Sequence, residues 1–186
     1  DTWKLSDVNI KPQRGWQAAA GLYLNSPSGI WEYSVEGYYK RMSDYLDYRG
    51  GAKLLMNHHI ETDVINTQGH AYGVELQVKK QVGKLNGWMS YTYSRTFLRQ
   101  NDKRIEKPVN NGDWYPTEYD KPHDFKFVGN YKFTHRYSMS INVDYSTGRP
   151  TTIPAGQYYD ESTQSMRVYY TERNSYRIPD YFRTDI

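Results

Sequence analysis

The most regular stretch of the chain runs from Tyr137 to Tyr145, where apolar Tyr137, Met139, Ile141, Val143 and Tyr145 alternate with polar Ser138, Ser140, Asn142 and Asp144. Successive side chains of a strand point to opposite faces, so this stretch has one apolar and one polar face. Its length is about what a tilted strand needs to cross a hydrocarbon core, and an aromatic stands at each end. A half-buried strand of a soluble protein alternates in the same way, so the neighbouring segments decide its meaning.

Six further segments repeat the pattern. Trp16 to Leu24 sets Trp16, Ala18, Ala20, Leu22 and Leu24 against Gln17, Ala19, Gly21 and Tyr23. Ile30 to about Met42 sets Trp31, Tyr33, Val35 and Tyr39 against Glu32, Ser34, Glu36, Tyr38 and Lys40. His70 to Val82 sets Tyr72, Val74, Leu76 and Val78 against Glu75, Gln77 and Lys79. Gly87 to about Leu98 places Met89, Tyr91, Tyr93 and Phe97 opposite Trp88, Ser90, Thr92, Ser94 and Thr96, with Arg95 on the apolar side. Asp124 to Phe133 carries Phe125, Phe127, Tyr131 and Phe133 opposite Lys126, Val128, Asn130 and Lys132. A last strand opens at Tyr181 and is still running at Ile186, which predicts a piece of a longer protein.

The connections alternate. Short turns such as Asn25-Ser-Pro-Ser-Gly29, Gly83-Lys-Leu-Asn86 and Thr134-His-Arg136 follow the first, third and fifth strands. Long polar segments, about 43–69, 99–123 and 147–179, follow the second, fourth and sixth. Bacterial outer-membrane barrels have short periplasmic turns and long extracellular loops, whereas a sandwich or propeller has no reason to keep this order. The expected fold is therefore all-β, an antiparallel transmembrane β-barrel.

On that reading Trp31, Tyr33, Val35, Val74, Leu76, Val78, Met139, Ile141 and Val143 face lipid. Glu32, Ser34, Glu36, Glu75, Gln77, Lys79, Ser140, Asn142 and Asp144 face the lumen. So many charges are intolerable in a dry interior and suit a wet lumen or the surface of a plug. An odd count of seven strands cannot close a bacterial barrel, so further strands are expected elsewhere.

Composition changes this picture little. Twenty tyrosines in 186 residues suit membrane interfaces and ligand-binding surfaces alike. The net charge of +3 is spread along the chain without a basic cluster, which argues against nucleic acid. No cysteine is present, so disulfides and cysteine metal sites are excluded. The mean hydropathy of −0.94 is compatible with a barrel, because a strand with one lumenal face gives a weak hydropathy signal.

Candidate chemistry is sparse. His58-His59 lie in a long loop, but adjacent residues of an extended chain point apart and no partner has ligand spacing, so no metal is expected. Tyr119-Asp-Lys-Pro-His-Asp124 offers a histidine between carboxylates, yet Pro122 just before a strand reads as a loop-to-strand junction. Glu32, Glu36 and Glu75 read as lumen lining before they read as a catalytic carboxylate set. The better functional candidates are loop residues that can stack on a ligand or on one another: Trp114, Tyr115, Arg149, Tyr158, Tyr159, Tyr169 and Tyr170.

Several stretches carry a family resemblance: Lys11-Pro-Gln-Arg14, Tyr72-Gly-Val-Glu-Leu76, Tyr91-Thr-Tyr-Ser-Arg95, Tyr119-Asp-Lys-Pro-His-Asp124, Ser146-Thr-Gly-Arg-Pro-Thr-Thr-Ile-Pro154 and Asn174-Ser-Tyr-Arg-Ile-Pro-Asp-Tyr-Phe-Arg-Thr-Asp-Ile186. In this order they resemble the C-terminal part of a TonB-dependent outer-membrane receptor of the Bacteroidetes type. The resemblance implies a plugged, 22-stranded barrel in the outer membrane that imports a scarce nutrient (siderophore, cobalamin, glycan or peptide). It implies as partners outer-membrane lipid, the parent's plug domain, the TonB complex and a surface-exposed lipoprotein, with no cofactor. The plug and final strands would lie outside these residues. A passive porin and a secreted, soluble glycan-binding β protein are the alternatives; an outer-membrane lipase would need a Ser-His pair on the outer face, and none is placed so.

Overall fold

The structure, a computed structural model, describes residues 6, 10–48, 63–100, 107–161, 164–170 and 172–186. Seven principal strands follow one another: β1 (Arg14–Asn25), β2 (Trp31–Tyr48), β3 (Val64–Lys80), β4 (Leu85–Arg99), β6 (His123–Lys132), β7 (Ser138–Ser146) and β12 (Tyr181–Asp185). Short β5 (Tyr115–Pro116), β8 (Pro150–Thr151), β9 (Pro154–Asp160), β10 (Ser165–Tyr170) and β11 (Tyr176–Arg177) lie in the long connections. The main sheet has the order β1-β2-β3-β4-β6-β7-β12, every neighbouring pair antiparallel, with β5 attached to β4. It is a meander that leaves β1 and β12 as its edges.

The register converts separate alternations into continuous rows. One apolar row crosses the whole sheet through Leu22, Val35, Leu76, Tyr91, Phe125, Tyr145 and Phe182. A second runs through Leu24, Tyr33, Val78, Met89, Phe127 and Val143. The polar positions align as strictly: Tyr23, Ser34, Gln77, Ser90, Lys126, Asp144 and Arg183 form one row. A one-residue slip at any interface would mix the two faces, so the alternation itself specifies the pairing. The apolar face is bounded by aromatics: Trp31, Tyr33, Tyr131 and Phe133 at the short-turn end, Trp16, Tyr39, Tyr72 and Tyr93 at the other. Trp31 and Tyr39 are eight residues apart on β2, or roughly 27 Å along a strand at about 3.4 Å per residue.

Turn chemistry fixes the short connections. In residues 26–30 the Ser26 carbonyl accepts from the Gly29 amide at 2.8 Å and the Ser26 hydroxyl from the Trp31 amide at 3.1 Å. Gly29 there has φ +66°, a conformation that strains any side chain. In residues 133–137 the Thr134 hydroxyl accepts from the amides of Arg136 and Tyr137, each at 3.2 Å.

The segment expected to be polar loop from 43 to 69 is partly strand. After a bulge beyond Met42, with Asp44 at φ +54°, the ladder resumes as Tyr45↔Thr67, Leu46↔Asn66, Asp47↔Ile65 and Tyr48↔Val64. The bulge restarts the alternation in a new phase, which hid the continuation. At its other end β3 stops at Lys80, short of the expected Val82. His58 and His59 fall outside the described residues.

The buried side chains Ile10, Ile65, Ala71, Leu98 and Tyr115, with Thr67, Gln100, Thr117, Asp120, Ser146 and Asn174, gather at the long-loop end. The sheet keeps both faces open, with Leu22 70% exposed on the apolar face and Tyr23 72% exposed on the polar one. Among the described residues the packed core therefore sits at the long-loop end, where strand ends and connections meet. No helix among the described residues is long and apolar enough to cross a membrane, which says nothing about crossing by strands.

Candidate functional site

The polar face brings the expected lumenal residues together in register. Glu32 stands opposite Lys79, Ser34 opposite Gln77 and Glu36 opposite Glu75. Lys79 pairs with Glu32 at 3.3 Å, and the Gln81 amide also donates to Glu32. Glu36 accepts the Tyr23 hydroxyl at 2.8 Å. Ser140 donates to Asn130 at 2.7 Å, and Asp144 lies between Lys126 and Arg183 in one row. Opposite charges on neighbouring strands offset one another, except at Glu36 and Glu75, where two carboxylates face each other directly. This is a polar wall open to solvent. Among the described residues no group of three or more His, Cys, Asp or Glu is arranged to hold a metal ion.

The long-loop end is organised by two acidic residues. Asp120 has a side chain with no exposure, yet its carboxylate is fully engaged. Oδ1 accepts the Arg95 Nε at 3.2 Å and the Thr96 amide at 2.8 Å, while Oδ2 pairs with Arg177. Arg177 also reaches the carbonyls of Asp120 at 2.6 Å and Gly148 at 2.8 Å. One carboxylate thus ties β4, the 117–122 turn and the stem of the last long connection into one knot. Arg95 is accommodated on the apolar side for this reason, with its guanidinium 4.5 Å from the Phe97 ring centre. The rest of the Asp120-Lys-Pro-His-Asp124 stretch joins loop to strand: Ser94 donates to the Pro122 carbonyl at 3.1 Å, and the Tyr91 hydroxyl meets His123 Nδ1 at 2.8 Å.

Asp47 is the second centre. The Tyr115 hydroxyl donates to its Oδ2 at 2.7 Å and Arg173 Nη2 pairs with its Oδ1 at 3.0 Å. Arg173 also donates to the Tyr48 carbonyl, and its amide to Asn110 Oδ1 at 2.7 Å. Asn174 donates to the Pro116 carbonyl at 2.7 Å. The end of β2 and the two long connections that follow β4 and β7 meet here. Burial, then the Asp47 charge, pushes the Tyr115 hydroxyl well above the ordinary tyrosine range, so it stays a proton donor. At the mouth of the last strand, Asp180 accepts the Tyr145 hydroxyl at 2.6 Å and the Gly148 amide at 2.9 Å, which together hold its carboxyl below the ordinary range.

The loop candidates divide accordingly. Tyr115 is 1% exposed and serves the packing. Trp114 is partly exposed, packed edge-on against His70 at 4.4 Å between ring centres and under the Arg99 guanidinium at 4.8 Å. Arg149 is exposed, and its carbonyl accepts the Ile178 amide at 3.1 Å. Tyr158, Tyr159, Tyr169 and Tyr170 all sit on the β9–β10 hairpin, between 41% and 58% exposed. That hairpin rises from a stem fixed by the β8–β11 pair, Tyr176↔Thr151 and Arg177↔Pro150. Tyr158 pairs across it with Arg167, and Tyr169 stands opposite Gly156, whose missing side chain leaves open space.

Sequence reasoning missed Asp47, Arg173 and Arg177, and singled out Asp120 only as part of a loop-to-strand junction. Arg95 was the available signal: a cation on an apolar face requires a carboxylate, and the nearest in a turn was Asp120.

A family model described as TonB dependent receptor-like, beta-barrel, matches residues 3–186. No curated protein and no solved structure matches the chain.

Proposed function

The chain belongs to the TonB-dependent receptor-like β-barrel family, and on that premise we propose that it forms part of the outer-membrane barrel of an active nutrient importer. The observation that carries this reading is the alignment of apolar and polar positions into sheet-wide rows, combined with the alternation of short and long connections. An antiparallel sheet in lipid needs one continuous apolar face, closure of its edges by further strands, and a lumen able to hydrate polar groups. The rows through Val35 and Tyr33 face lipid; the row through Ser34 and Gln77 faces the lumen and the parent's plug. The short turns lie in the periplasm and the long connections outside. The order of the motifs supports a position toward the C-terminal end of a Bacteroidetes-type barrel of 22 strands.

The proposed chemistry is binding and passage. The stem of the last long connection is fixed through Asp120 and Asp47, so the β9–β10 hairpin is presented from a rigid base. Its tyrosines, with Arg149 and Trp114, contact the ligand or a surface lipoprotein. Tyrosine suits this task because it supplies a large contact area at low entropic cost. In cells expressing the full receptor, uptake of its nutrient is expected to require TonB. Replacing Tyr158, Tyr159, Tyr169 and Tyr170 together by alanine should lower uptake at least tenfold with surface expression unchanged. TonB-independent uptake would instead mark a passive porin, and full uptake by the quadruple variant would remove the hairpin from the ligand path.

A further inference from the structure

A depression of about 190 Å³ lies on the apolar face near its short-turn end. Trp31, Val78, Leu85, Met89 and Phe127 wall it. Its floor is the register pair Gly87↔Gly129. Gly87 has φ +152°, and a side chain there would collide with the Val128 carbonyl; one at Gly129 would lie 2.7 Å from the Phe127 ring. Backbone geometry therefore keeps the depression open, and no rotamer of a larger residue fills it.

A cation stands at its mouth. Lys80 is the register partner of both Trp31 and Gly87, so it belongs to the apolar face. Its ammonium donates to the carbonyls of Leu85 at 2.7 Å and Val82 at 3.1 Å and lies 5.7 Å from the Trp31 ring centre. These contacts hold it without neutralising it. Among the described residues no carboxylate pairs with Lys80; the neighbouring Lys79–Glu32 pair is on the opposite face. Residues 80–87 and 129–137 contain Lys80, Lys84, Lys132 and Arg136 and no Asp or Glu. An apolar slot ending in unbalanced positive charge matches one membrane component: a phospholipid with a net negative headgroup.

We infer that this groove seats an anionic phospholipid, its acyl chain against Met89 and Phe127 and its phosphate at Lys80, beside the basic turn that carries Lys84. The inference rests on the lipid-facing assignment of the apolar rows made above. Binding orients the lipid at the boundary where the turn between β3 and β4 leaves the membrane. A basic residue near the surface is worth roughly fivefold in affinity for an anionic headgroup.

The test uses the full receptor in phosphatidylcholine vesicles containing brominated phosphatidylglycerol or brominated phosphatidylethanolamine. Quenching of Trp31 is read as the difference between wild type and W31F. The expected result is quenching at least fivefold more efficient by the anionic lipid, relieved by unbrominated phosphatidylglycerol and not by inorganic phosphate. The K80Q/K84Q variant should lose the preference and K80R/K84R should keep it. Equal quenching by both lipids, or a preference surviving in K80Q/K84Q, overturns the site while leaving the lipid-facing assignment standing. Quenching by neither lipid overturns that assignment itself. The competition arm needs only W31F beside wild type and decides the question even where the lysine substitutions block folding.

Discussion

Glu36 in the middle of β2 and Asp120 beside the end of β4 are both carboxylates on the same sheet, and they sit in opposite circumstances. Glu36 is part-exposed on the polar face, faces Glu75 and accepts one tyrosine hydroxyl. Asp120 has no exposure and satisfies its oxygens with two guanidiniums and a backbone amide. In the sheet, order comes from the backbone ladder, and side chains need only respect the two faces. At the long-loop end the ladder shrinks to the ends of β2 and β3 and short pairs such as β4–β5, so buried polar side chains bonded to backbone and to one another carry much of the order. The sheet should tolerate many single changes on its polar face; the loop base should tolerate few at Asp120 and Asp47.

The sharpest way to break this contrast is Asp120→Ala. It leaves Arg95 and Arg177 uncompensated and orphans the Thr96 amide, with an expected loss of about 3–5 kcal/mol. Denaturant unfolding of the refolded receptor in detergent measures it, and a loss below about 1 kcal/mol would mean that the loop base is not the packed core. Within the sheet, Ile141→Arg should cost about 2–4 kcal/mol and Asn142→Arg close to nothing. Equal tolerance at these neighbouring positions would refute the assignment of faces.

Tyr115→Phe removes a buried hydroxyl donated to the Asp47 carboxylate, with an expected loss of about 2 kcal/mol. Its pH dependence has a definite sign. The folded-state pKa is raised above the ordinary value of about 10, so the stabilisation is complete below that pH and fades as pH climbs toward the folded value. Wild type should lose stability on the alkaline side more steeply than the variant. The smallest expected effect is at Tyr145. Asp180 is held below the ordinary carboxyl value, so its contribution is present above about pH 4 and lost as pH falls through the folded value. Tyr145→Phe should flatten that acid limb, which stability measured between pH 5 and 2 would reveal.

The same contrast separates what was legible in the sequence from what was not. Alternation with a period of two is local, so Met139, Ile141 and Val143 announce their face without knowledge of any partner. The Arg177–Asp120 and Arg173–Asp47 contacts join residues 57 and 126 positions apart, and no local period marks them. Trp114 and Tyr115 are neighbours of similar chemistry, and only the position of Asp47 decides that Tyr115 turns inward. The end of β2 shows the boundary between the two regimes. Its alternation is readable up to Met42 and lost after the bulge, where Asp44 and Asp47 follow the needs of the loop.

The meander has a kinetic consequence. Each strand pairs with a neighbour close in sequence, so assembly can proceed one hairpin at a time. The β1–β2, β3–β4 and β6–β7 hairpins close across residues 26–30, 81–84 and 133–137. Joining β12 to β7 must span residues 147–180; that is nearly three doublings of loop length and about 1.7 kcal/mol more closure entropy. The β8–β11 and β9–β10 pairs fold that span back on itself, so that the ends of β7 and β12 meet before the last strand is added. The hairpin proposed to meet the ligand would then also act as the clasp that lets the chain finish its sheet.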